Sequence, residues 1–271
     1  MTHKFCILTT ILFLIIYSSL AFGQTPQNQK ESNETFYFKS FALFRCVIQL
    51  PNDYNPDKSY PLVVGLHGGG GSPDNFINLW KDIDGLEFIY AVPQAPYAWL
   101  INNKIGYDWA LWPTGDESLM RRASNLSESY ILDLLKTLTQ KYKIDSIYLM
   151  GFSQGAIFTY QIGIRNPHRF RGIICLSGPG LLEPLISPFG DKKITDWLEE
   201  KNIAGAKRLR VFIGHGKNDK SPDYNMGLKS RDILKKYGYD VTFYSFDGKH
   251  EIVKEELEHV INWLKKKKRT N

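Results

Sequence analysis

Gly151-Phe152-Ser153-Gln154-Gly155 sets a serine between two glycines at the spacing G-x-S-x-G. The apolar run 146–150 before it has the composition of a buried strand, and residues 154–165 after it read as a helix that stops near Asn166-Pro167. Ser153 therefore falls on a sharp strand-to-helix turn. The flanking glycines remove side chains where strand and helix crowd together, and the turn lifts the hydroxyl above the sheet. The new helix aims free N–H groups and the positive end of its dipole at the same spot. That is a setting for a nucleophile attacking an acyl carbon, with N–H donors ready for the negative charge that develops.

A serine hydroxyl needs a base, and the base needs an orienting carboxylate. Six histidines are available. His3 lies in the apolar N-terminal segment, His168 follows the Asn166-Pro167 stop, and His259 falls in the closing helix. His67 and His215 end strands and precede glycines, where an imidazole supports its own loop by hydrogen bonding. His250, in 246–252 between the last strand and the last helix, is free to swing over the serine and is the candidate base. The acid should come from the turn after the preceding strand. Asp219, in Gly214-His215-Gly216-Lys217-Asn218-Asp219, is favoured because that strand ends near Gly214; Asp223 and Asp247 are its rivals.

The elements that must hold these residues alternate along the chain. Residues 35–39 and 43–50 are β-rich and are expected to pair as an antiparallel start. Residues 51–57 are dense in turn formers. Apolar strand-like runs follow at 61–66, 86–92, 146–150, 172–176, 209–213 and 241–246. Ile131, Leu134, Leu135, Leu138 and Tyr142 recur at helical spacing, with Ser127-Glu128 suited to the helix start. Val253, Leu257, Val260, Ile261 and Leu264 form the stripe of a closing helix. Strands alternating with helices predict an α/β fold with a mostly parallel central sheet, an antiparallel N-terminal start and helices on both faces.

Composition narrows the class. The chain has 271 residues and is 43% apolar, enough for one large α/β core. Its net charge is +6, of which Lys4 supplies one and the run Lys265-Lys266-Lys267-Lys268-Arg269 the other five, so the body is near neutral. This argues against a nucleic-acid-binding face; the basic run suits a solvated helix end. Lys4, the apolar stretch 7–17 and Ala21-Phe22-Gly23 have the layout of a secretory signal over residues 1–23, too short for a comfortable membrane span. A polar linker at 24–34 and a single domain at 35–271 follow. The expected location is secreted or periplasmic, with no membrane insertion of the mature chain. Cys6 falls in the signal, which leaves Cys46 and Cys175 inside strand-like runs, read as two buried free thiols, although an oxidising compartment permits a disulfide between them. No metal-ligand spacing such as His-Glu-x-x-His occurs, so neither a metal nor a cofactor is expected.

The order Ser153, Asp219, His250 resembles that of the α/β-hydrolases. The chain is similar to phospholipase/carboxylesterase-type and polyhydroxybutyrate-depolymerase-like esterases in five ordered pieces. These are Leu50-Pro51-x-x-Tyr54 with Tyr60-Pro61-Leu62-Val63-Val64, then Leu66-His67-Gly68-Gly69, the Ser153 pentapeptide, His215-Gly216-x-x-Asp219, and Gly248-Lys249-His250-Glu251-Ile252. The resemblance implies an α/β-hydrolase fold and a serine carboxylesterase acting on small-molecule or polysaccharide-linked esters. It also implies an oxyanion hole made by the backbone N–H groups of Gly69 and Gln154, with Gly70 as a possible partner. The rivals are a peptidase or acyltransferase on the same fold, or an inactive binding module. The Gly68–Gly71 run lacks the lysine and Ser/Thr of a phosphate-binding loop. Residues 97–124 show little periodicity and read as a long loop; Trp80, Trp99, Trp109 and Trp112 lie in or near it, either walling a substrate pocket or anchoring the loop to the core.

Overall fold

Five apolar strands bury their side chains on both faces, and the sheet they form carries the site. The structure, a computed structural model, describes residues 40, 42–83, 86–101, 103–112, 116–186, 193–195 and 197–266. Contacts along the chain group Leu43–Asn271 into one compact unit, apart from Met1–Ala42. The expected signal at 1–23, the linker at 24–34, the strand at 35–39 and the end of the basic run lie outside the described residues.

The central sheet has seven strands: β1 (Cys46–Gln49), β2 (Tyr60–Leu66), β3 (Ile89–Pro93), β6 (Ile144–Phe152), β7 (Gly172–Leu176), β10 (Arg210–Gly216) and β11 (Asp240–Phe246). Their order is β1-β3-β2-β6-β7-β10-β11. All neighbours run parallel except β1, which lies antiparallel to β3 at one edge, with Cys46 opposite Pro93 and Gln49 opposite Tyr90. The antiparallel start is thus present, but its described partner is β3 and its strand is shorter than 43–50.

Helices α2 (Glu117–Lys141), α3 (Gln154–Arg165), α4 (Glu200–Gly205) and α5 (Tyr224–Lys236) cover one face, where Ile131, Leu135, Phe158, Ile203 and Leu234 join one core cluster. Helices α1 (Pro73–Phe76) and α6 (Lys254–Lys265) belong to the other face, where Trp80, Leu257, Val260 and Trp263 pack on Val63, Tyr148 and Phe212. Strands buried on both sides explain the continuous apolar runs in the sequence. Among the described residues the two cysteines are free: Cys175 on β7 is buried as expected, and Cys46 on the edge strand β1 is only half-buried.

Two expectations fail in one region. Residues 97–124 are not a long loop. They contain a β-hairpin, β4 (Tyr97–Ile101) with β5 (Lys104–Asp108), and the first turns of α2. Asn103, with φ 61, sits at the hairpin turn. Helix α2 begins at Glu117, not near Ser127, with the Asp116 carboxylate accepting the Leu119 N–H at 3.2 Å as its cap. Its buried stripe runs on backward through Ser127, Ala123 and Met120. Ser127 hid this because a polar residue fills an apolar position: its hydroxyl donates to the Trp109 carbonyl at 2.7 Å. A small hairpin, β8 (Leu185–Ile186) with β9 (Lys193–Ile194), lies between β7 and α4.

Candidate active site

Strand β6 delivers Ser153 to the C-terminal edge of the sheet, in the crevice where open α/β sheets hold ligands. The turn is tight because Gly151 and Gly155 are glycines: a Cβ on Gly151 would run into the Gly155 carbonyl, and one on Gly155 into the Leu66 carbonyl of β2. Ser153 has φ 55 and ψ −118, a backbone that L-residues rarely adopt. Its N–H is held by the Leu176 carbonyl at 2.9 Å.

The loops after β10 and β11 meet beside it. Asn218 N–H donates to the Gly248 carbonyl at 2.9 Å, which fastens one loop to the other. His250 Nδ1 lies 2.8 Å from Asp219 Oδ2, and His250 Nε2 lies 2.9 Å from Ser153 Oγ. The imidazole leans on the Phe152 ring at 4.8 Å between centroids. Asp219 is buried, and its Oδ1 accepts the Ser221 N–H at 3.0 Å. The structure separates Asp219 from its rivals. Asp223 caps α5 by accepting the Asn225 N–H, and Asp247 is exposed and paired with Lys217 at 3.0 Å.

The other described histidines, His67, His215, His168 and His259, stand where sequence reasoning put them, and His3 lies outside the described residues. His67 is buried, with Nδ1 2.8 Å from the Gly68 carbonyl and Nε2 accepting the Ala95 N–H at 3.4 Å. Buried His215 places Nε2 3.1 Å from the Pro222 carbonyl and 3.4 Å from Asp219 Oδ2. Burial lowers the pKa of both imidazoles, which keeps them neutral braces. His168 is exposed, and His259 stacks on Tyr244 at 4.3 Å.

Gly69 and Gln154 face the same cleft as Ser153, about 500 Å³ in volume and walled by Trp99, Trp112, Ile157, Leu185 and Met226. Gly70 takes φ 69, which favours glycine, and its N–H is committed to Asp108 Oδ1 at 2.7 Å and the Tyr107 carbonyl at 3.1 Å. Of the four tryptophans, Trp99 and Trp112 line the cleft, Trp112 while also buried in the core, and Trp80 and Trp109 are core residues. The Trp109 indole N–H donates to the His67 carbonyl at 2.9 Å. Among the described residues no cluster of His, Cys, Asp and Glu is arranged to hold a metal, and no helix is long and apolar enough to cross a membrane.

Sequence reasoning missed Asp108 and the side chain of Gln154, and for Trp109, named as a pocket wall or a core anchor, it missed the backbone contact with Gln154. Trp109 N–H donates to Gln154 Oε1 at 2.8 Å, so the hairpin that carries Asp108 also grips the turn after Ser153. The signal was present: two β-prone runs separated by Asn102-Asn103 are a hairpin pattern.

Comparison with known proteins agrees with this architecture. The profile of the Phospholipase/Carboxylesterase family matches residues 54–268. Acyl-protein thioesterase 1 of Neurospora crassa is 28% identical over 219 residues, covering 74% of this chain and 84% of the relative. Carboxylesterase SOBER1 of Arabidopsis thaliana is 24% identical over 217 residues, covering 76% of this chain and 90% of the relative. The crystal structure of Zea mays acyl-protein thioesterase 2 superposes with a TM-score of 0.61 at 20% identity, covering 82% of this chain and 98% of that one. A phospholipase/carboxylesterase from Dyadobacter fermentans gives 0.58 at 24% identity, with 86% and 100% covered. This chain belongs to the phospholipase/carboxylesterase family and is an esterase-type hydrolase with the α/β-hydrolase fold.

Proposed function

We propose that the chain hydrolyses carboxylic esters through a Ser153–His250–Asp219 triad and an acyl-enzyme. His250 Nε2 takes the Ser153 proton as Oγ attacks the carbonyl carbon, and then returns it to the departing alcohol. Asp219 fixes the Nδ1–H tautomer and supports the imidazolium charge. The Gly69 and Gln154 N–H groups receive the oxyanion. Water, deprotonated by His250, then releases the acid and restores Ser153. The observation that carries this reading is the unbroken pair of hydrogen bonds, 2.8 Å and 2.9 Å, from Asp219 through His250 to Ser153. A fluorophosphonate probe should label the pure protein at Ser153; absence of that adduct would leave an inactive binding module as the better description.

The relatives named acyl-protein thioesterases favour a second substrate type, the thioester, at the same site. Matched ester and thioester substrates, with a peptide and a competing alcohol alongside, separate hydrolysis of each from peptidase and acyltransferase activity. The reading includes export of the mature chain from Gln24, supported by the basic start, the apolar stretch and the Ala21-Phe22-Gly23 site.

A further inference from the structure

We propose that Asp108 is a positioning residue of the oxyanion hole, setting the spacing between the 67–71 loop and the Ser153 turn. The inference rests on the acyl transfer proposed at Ser153. The two halves of such a hole come from different parts of the chain: Gly69 follows β2, and Gln154 opens α3. Something must hold them in register, because a misplacement of about 1 Å at a reacting centre can cost on the order of a hundredfold in rate.

Asp108 touches both halves. Its Oδ1 accepts the Gly70 N–H at 2.7 Å, while Tyr107, one residue before, exchanges backbone bonds with Gly70 and Gly71 at 3.1 and 3.0 Å. These bonds commit the Gly70 N–H to the hairpin and leave Gly69 as the loop donor beside Ser153. On the other side, Trp109 N–H holds Gln154 Oε1, which turns the amide nitrogen of Gln154 toward the Asp108 carboxyl. The packing is close: a Cβ on Gly69 would sit 3.3 Å from Asp108 Oδ1 and 3.4 Å from Gln154 Nε2. Asp108 is only 5% exposed, and burial raises its carboxyl pKa against the opposing pull of the Gly70 N–H. It acts through Gly70 and Gln154, not on the reacting atoms. A charge there would oppose an oxyanion, so its contribution is geometric.

The test measures kcat and KM on p-nitrophenyl acetate, and the affinity of a trifluoromethyl ketone, which adds Ser153 Oγ to give a tetrahedral oxyanion. Asp108→Ala should lower kcat by about 10- to 100-fold with KM within about twofold, and ketone affinity should fall by the same factor. Asp108→Asn, which keeps an acceptor for the Gly70 N–H, should lose less. Wild-type kcat and ketone affinity in Asp108→Ala, or a loss confined to KM, would overturn the proposal. Should that variant not fold, Gln154→Leu removes the amide that faces Asp108 and keeps the residue-154 N–H; wild-type values there overturn it equally. Ser153→Ala in the same assay reports separately on the acyl-transfer reading: retained turnover rejects that reading whatever the Asp108 variants do.

Discussion

Ser153 holds a strained backbone, φ 55 and ψ −118, which costs on the order of 1–3 kcal/mol and persists because the surrounding structure over-determines it. The bonds around it assign sharply different consequences to nearby residues. Ser153→Ala and His250→Ala should each lower kcat by about four orders of magnitude or more, and Asp219→Asn by about 10⁴, because the wrong imidazole tautomer is then favoured. Asp223→Asn and Asp247→Asn should stay within a few-fold of wild type (about threefold). Steady-state kinetics on one ester checks the set, and a large loss in either rival would move the acid assignment. A second residue sets a pH dependence. Glu256 is buried on α6, and burial pushes its pKa up from 4.5 to about 8 against the opposing pull of the Val253 backbone. Its folded pKa is raised, so the stability it contributes is full below the ordinary value and is lost as pH rises through about 8. Glu256 should lower the wild-type melting temperature progressively between pH about 5 and about 8, with no further loss above that, and Glu256→Gln should flatten that decline. Equal slopes for both proteins would remove Glu256 as the cause.

At the scale of elements, the hairpin β4–β5 and helix α2 make contacts that neither the Asp219 loop nor the His250 loop makes. The hairpin stitches the 67–71 loop to the Ser153 turn, and α2 braces the hairpin through the Ser127 hydroxyl on the Trp109 carbonyl at 2.7 Å. Ser127→Ala leaves that buried carbonyl without its partner and should cost about 1–3 kcal/mol, read as a lower denaturant midpoint at unchanged m-value. A midpoint equal to wild type would mean that the brace is not needed. The hairpin also explains a limit of pattern reading. Leu100 and Ile105 are apolar yet largely exposed, so the sequence of these strands does not alternate polar with apolar and does not mark their buried face. Helix α5 has no counterpart in the sequence reading either, because its buried positions are Gly227, Ser230 and Leu234, two of them too small or polar to mark a stripe.

At the scale of the whole molecule, the strand order decides the fate of the thiols. Cys46 on β1 and Cys175 on β7 are separated by β3, β2 and β6. Four inter-strand steps amount to roughly 19 Å, far beyond the roughly 7 Å that a disulfide spans between Cα atoms. A thiol titration of the denatured, unreduced mature chain should therefore find two free cysteines even when the protein is recovered from an oxidising compartment. One cystine would contradict this sheet order. The same preparation serves for the N-terminus: N-terminal sequencing of exported protein should begin at Gln24, and a start at Met1 would count against the proposed export.

The sequence by itself determined the alternating α/β plan, the parallel core strands and the identities of Ser153, Asp219 and His250 as candidates. These lie at strand ends flanked by glycines, where local pattern and local chemistry coincide. Strands buried on both faces read as apolar runs, and the turns after them have few places to go. Only the tertiary structure decided which aspartate faces His250, which glycine N–H is spoken for, and what holds the 67–71 loop. Those depend on hydrogen bonds between residues far apart in the chain: Asp219 with His250, Asp108 with Gly70, Trp109 with Gln154. No local period encodes such pairings, since each is made when the assembled sheet brings separate loops to one edge.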